Sequence, residues 1–171
     1  SSFGDQETAM SSGTNPVFSI EPSAATPPQE TRADHLWLLL FAAWSIALLS
    51  TLGALFIGEV MGKTPCLLCW YQRAFMFPVA VILGVACYRG DAAVWRYGLP
   101  LAGIGLAIAA YHNLLFWGMI PEEIQPCTRT GPSCSSADLN LIGFIPIPLL
   151  SLGAFAALTV LFLIIRRRLA S

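Results

Sequence analysis

Five cysteines, Cys66, Cys69, Cys87, Cys127 and Cys134, are the residues of this chain best suited to chemistry. Cys66-Leu67-Leu68-Cys69 is a CxxC, a spacing shared by redox pairs, zinc half-sites and haem attachment sites. Haem attachment needs His after the second cysteine, and Trp70 stands there. Zinc would require Cys66 and Cys69 to join Cys127 and Cys134 as four thiolates. The gap between Cys127 and Cys134 is wide for a zinc knuckle, and Leu67, Leu68, Trp70 and Tyr71 suit a lipid boundary better. A working redox pair is the preferred reading; static disulfides and zinc are its rivals, and no metal is expected.

The surroundings of the CxxC favour redox chemistry. Thr64 is placed to cap a helix and Pro65 to occupy its first position. The cysteines then fall in the first turns, where free N–H groups and the helix dipole stabilise a thiolate. Arg73 follows Cys69 by four residues and shares its helix face. An arginine at a membrane edge points to function; its bland alternative is snorkelling to headgroups. Cys127 and Cys134 lie in a segment broken by Pro126, Gly131 and Pro132, where a labile disulfide or a simple loop staple is possible.

The elements that must position these groups are helices. Of 171 residues, 56% are hydrophobic and 11% charged, against roughly 25% charged in ordinary soluble domains. That excludes a disordered chain, a nucleic-acid binder and an ordinary soluble enzyme. Four apolar stretches, near 36–57, 70–88, 94–117 and 144–165, each approach the ~20 residues a bilayer core needs. Strands would show alternating polar residues, which these stretches lack. The expected fold is an all-α membrane protein, a four-transmembrane-helix bundle over 35–171. Residues 1–34 hold one basic and five acidic side chains and few large apolar ones; they read as a flexible polar tail without the apolar core of a signal peptide.

Orientation follows from Lys and Arg. Arg32, Arg89, Arg96, Arg166, Arg167 and Arg168 fall on one side, and Lys63, Arg73 and Arg129 on the other. The positive-inside rule puts both termini in the cytoplasm. Both cysteine pairs then face the oxidising exterior, and Cys87 alone lies at the cytoplasmic end, read as a small buried apolar residue. The outward ends of the helices carry Glu59, Arg73, His112 and Asn113 at one depth, among Trp70, Tyr71, Tyr111, Phe116 and Trp117. Taken singly, the aromatics suit an interface belt and His112 a hydrogen bond between helices. Together, a thiolate, an arginine and a histidine around an apolar gap suit a lipid-soluble quinone, whose carbonyls need donors and whose developing charge needs a cation.

At this point the sequence resembles the bacterial disulfide-bond formation protein B (DsbB) family of thiol:quinone oxidoreductases, and most closely its BdbC branch. The resemblance rests on Thr64-Pro-Cys-Leu-Leu-Cys-Trp-Tyr-Gln-Arg-Ala-Phe-Met-Phe-Pro78, Tyr111-His-Asn113, the Cys127/Cys134 pair and Gly143-Phe-Ile-Pro-Ile-Pro-Leu-Leu-Ser-Leu152. It covers about 36–165. The order of the pairs differs from the vitamin K epoxide reductase family, where the loop cysteines come first.

The resemblance implies a bacterial plasma-membrane enzyme that reoxidises an extracytoplasmic thioredoxin-fold oxidase of DsbA type. Electrons pass from that partner to Cys127/Cys134, then to Cys66/Cys69, then to ubiquinone or menaquinone. Cys127 is the implied partner cysteine. Cys69 and Arg73 are the implied quinone-binding residues, with Arg73 stabilising charge; the depth reading adds His112 to them. The short Cys127–Cys134 spacing and Gln72, where enterobacterial members carry an acid, depart from the best-known pattern. The rival from another class is a non-enzymatic accessory subunit with structural disulfides, held in a larger membrane complex through its tail.

Overall fold

The computed structural model describes residues 27–119 and 146–170. It contains four long helices, α1 (Pro27–Leu55), α2 (Leu67–Arg89), α3 (Trp95–Phe116) and α4 (Ile147–Ala170). All four are long and apolar enough to cross a membrane. Residues 1–26 of the polar tail and the loop carrying Cys127 and Cys134 lie outside the described residues.

The helices begin and end where local chemistry dictates. Gly90 closes α2 in the left-handed region at φ 66°, its N–H returning to the Ala86 carbonyl. The Asp91 carboxylate accepts from the Ala93 N–H at 2.8 Å and starts the short 3₁₀ turn Ala92–Val94 that leads into α3. Pro78 and Pro100 sit inside α2 and α3 without ending them. α1 begins at Pro27, ahead of the apolar stretch at 36, and α4 carries Arg166, Arg167 and Arg168 inside its last turns.

The main packing runs round a ring, α1 on α2, α2 on α3, α3 on α4 and α4 on α1. Small residues make the close contacts. Gly98, Ala102, Gly105 and Ala109 form a buried stripe on α3, spaced as one helical face. Phe155 and Phe162 of α4 fill it, against Gly105 and Gly98 respectively. In a bilayer, where lipid tails are as apolar as the helices, such close packing carries association. Ala43, Ala47, Val79, Leu83, Leu158 and Ile165 complete the core. At the arginine-rich end, the guanidiniums of Arg96 and Arg166 lie 5.9 and 5.4 Å from the centroid of the Trp95 ring.

Candidate active site

The site is assembled where α2 begins and α1 and α3 end. α1 does not stop at Leu55 but widens into one π-helical turn, Phe56–Val60. Such turns recur at functional sites. Gly62, at φ 64°, then lets the chain reverse toward α2.

The start of α2 differs from the expected cap. Thr64 and Pro65 lie outside the helix, and Cys66, extended at φ −69° and ψ 168°, is itself the N-cap. Its sulfur accepts from the Cys69 backbone N–H at 3.4 Å. A sulfur in this position receives a helix N-terminal donor that an oxygen cap would otherwise take. The Cys69 sulfur lies 2.8 Å away. His112 of α3, fully buried, places Nε2 3.8 Å from the Cys66 sulfur. The Cys66 thiol is held well below its usual range, chiefly by the hydrogen bond from the Cys69 thiol. Burial opposes this, while His112 and the Cys69 N–H reinforce it.

One face of α2, carrying Cys69, Gln72, Arg73 and Met76, lines a cavity of about 740 Å³ together with Cys66. The volume falls within the roughly 300–1,000 Å³ of small-molecule pockets. Ala54 of α1, Ile57 of the π turn and Ala154 and Phe155 of α4 supply apolar walls. Leu49 and Leu150 also line it while lying exposed on the bundle surface, so the cavity opens sideways, where lipid would be. Arg73 enters under restraint. One terminal nitrogen donates to the Ala54 carbonyl at 2.7 Å, and the guanidinium lies 5.7 Å from the Trp70 ring centroid. A Cβ on Gly58 would stand 3.2 Å from both terminal nitrogens.

The sequence therefore brings Cys66, Cys69 and Arg73 to one cavity. His112 reaches it through Cys66 and Gln72 rather than lining it. Asn113 is a strut: its Nδ2 donates at 2.8 Å to the carbonyls of Ala109 and of Pro148 on α4. Gln72, given no role in the sequence, is buried and bridges cavity and His112. Its helical register with Cys69 was the available signal. Cys87 packs half-buried against the core near the far end of α2.

Cys66, Cys69 and His112 present ligating atoms within 4.8 Å of one another. Two tetrahedral zinc thiolates sit about 3.8 Å apart for Zn–S bonds of ~2.3 Å, whereas these sulfurs are 2.8 Å apart. The three groups meet through hydrogen-bond contacts, Cys66 to Cys69 and Cys66 to His112.

Fold and site define a multi-pass helical membrane protein with a paired-thiol centre beside an apolar side cavity. Residues 33–165 match the family model described as disulfide bond formation protein DsbB. The chain belongs to that family, and its role lies in disulfide bond formation. It is 61% identical over 132 residues to a probable disulfide formation protein of Metapseudomonas resinovorans, covering 77% of this chain and 92% of that one. It is 42% identical over 130 residues to a probable disulfide formation protein of Deinococcus radiodurans, covering 71% and 84%. Disulfide bond formation protein C of Bacillus subtilis is 40% identical over 131 residues, covering 75% and 93%. No solved structure shows a significant match.

Proposed function

We propose that the chain is a thiol:quinone oxidoreductase that regenerates disulfides for an extracytoplasmic thioredoxin-fold oxidase. The observation that carries this reading is that Cys66, Cys69 and Arg73 together line one lateral, mostly apolar cavity. The residues fit a quinone: the walls match a ring and an isoprenoid tail, and Arg73 retains N–H donors beyond the one given to Ala54.

A quinone there supplies an acceptor for two electrons and two protons per disulfide formed. The chain's own residues do the rest. A thiolate of the partner attacks the Cys127–Cys134 disulfide, and the second partner thiolate resolves the mixed disulfide. The partner is oxidised and Cys127/Cys134 is reduced. The same exchange moves the electron pair onto Cys66/Cys69. Cys69 and Arg73 line the cavity that would hold the quinone, where Arg73 would offset negative charge. Both termini are assigned to the cytoplasm of a bacterial plasma membrane, so that the two pairs lie on the oxidising side.

The test mixes purified full-length protein in detergent with quinone and a reduced thioredoxin-fold partner. Quinone reduction is expected, and Cys66→Ser abolishes it. A Cys66→Ser variant working at the wild-type rate overturns the proposal.

A further inference from the structure

Gln72 and His112 form a contact that the electron route does not require. The His112 ring is fully buried and Gln72 is 7% exposed. His112 Nδ1 lies 3.2 Å from Gln72 Nε2, and His112 Nε2 faces the Cys66 sulfur at 3.8 Å. The three residues come from α3, α2 and the cap of α2, so the alignment is made by tertiary packing.

The amide nitrogen of a glutamine only donates. With the amide in this orientation Nδ1 accepts, an arrangement that selects the neutral ring with its one proton on Nε2. That N–H then points at sulfur. An imidazole in this state lends a hydrogen bond to a thiolate and has no free lone pair with which to take the proton of a thiol.

We propose that Gln72 is a positioning residue: it fixes His112 in the neutral Nε2–H tautomer, so that His112 is a permanent hydrogen-bond donor to Cys66. Its consequence for turnover rests on the thiol-to-quinone reading; its geometry does not. An acid at position 72 would accept from Nδ1 instead and favour a doubly protonated ring. The amide and the acid thus give two electrostatic settings of one site: a neutral donor beside Cys66, or a cation.

The test uses full-length, reduced protein in detergent with ¹⁵N-labelled histidine. The chain has two histidines, and His35, exposed on α1, is assigned by His35→Gln. Wild-type His112 is expected to show an unprotonated Nδ1 and a protonated Nε2. Gln72→Leu loses that preference, and the acid midpoint of the Cys66 thiolate, followed by ultraviolet absorbance, rises by about half to one pH unit, as for one weakened neutral hydrogen bond. Gln72→Glu, nearly isosteric and so able to fold, protonates both nitrogens. An Nδ1-protonated ring in the wild type overturns the proposal. So does a ring whose nitrogens are unchanged in Gln72→Glu, or a thiolate midpoint unmoved in Gln72→Leu. None of these readouts involves quinone, so a wild-type protein that reduces no quinone sinks the functional reading separately.

Discussion

The Arg73 side chain of α2 donates a 2.7 Å hydrogen bond to the carbonyl of Ala54 on α1. This one contact fixes a cation at the wall of the cavity beside the two thiols. It is possible because the neighbouring position on the π turn is Gly58, whose missing side chain leaves room for the guanidinium.

Removing the cation is expected to weaken quinone binding. Arg73→Ala raises the Michaelis constant for quinone about tenfold, the equivalent of ~1.4 kcal/mol. Arg73→Lys recovers only part of the loss, because an ammonium lacks the planar fork that serves Ala54 and a ring carbonyl together. Steady-state kinetics at varied quinone concentration check this; an unchanged constant in Arg73→Ala contradicts the assigned role.

Crowding the guanidinium has the same sign. Gly58→Leu places a side chain where the terminal nitrogens of Arg73 now lie. It is expected to raise the quinone Michaelis constant although Arg73 is still present. Quinone kinetics equal to the wild type's show that the position of Arg73 does not depend on Gly58.

The Cys66 thiol titrates below its ordinary value of 9.0. A lowered value means that the folded protein favours the thiolate, so the thiolate persists at neutral pH and is lost only on acidification. In reduced protein with Cys87, Cys127 and Cys134 replaced by Ser, ultraviolet absorbance is expected to report a thiolate at pH 7. Denaturant returns the midpoint to the ordinary thiol range. A midpoint near 9 in the folded protein contradicts the hydrogen-bonded geometry around Cys66.

Packing of α3 on α4 sets the bundle. A Cβ at Gly105 collides with the Phe155 ring, whereas one at Gly103 meets nothing within 4 Å. Gly105→Ala is therefore expected to cost about 1–3 kcal/mol through overpacking. Gly103→Ala leaves stability unchanged or raises it by up to ~1 kcal/mol through helix propensity. Thermal unfolding in detergent distinguishes them, and equal midpoints for the two variants contradict the packing.

Much of this was legible in the chain. Four apolar stretches gave the helices, because a bilayer demands length and little else of a span. Cys69 and Arg73, four residues apart, announced a shared face, and the structure puts both on the cavity. The remainder depended on how helices meet. The sequence offers Thr64 as a cap, yet the chain turns helical two residues later and gives the role to the Cys66 sulfur. Depth matching placed His112 near the thiols, but only packing shows that Gln72 stands against its Nδ1. Leu150, Ala154 and Phe155 of α4 close the cavity from a helix 81 residues or more beyond Cys69, a distance at which residue spacing carries no geometry.

The most direct test isolates the inner pair. Full-length protein with Cys127 and Cys134 replaced by Ser is reduced, freed of reductant under anaerobic conditions and mixed with quinone alone. The account predicts that one quinone becomes hydroquinone per protein as Cys66 and Cys69 join in a disulfide, seen as a loss of two hydrogens by mass. A Cys66–Cys69 dithiol that stays reduced while excess quinone stays oxidised contradicts it.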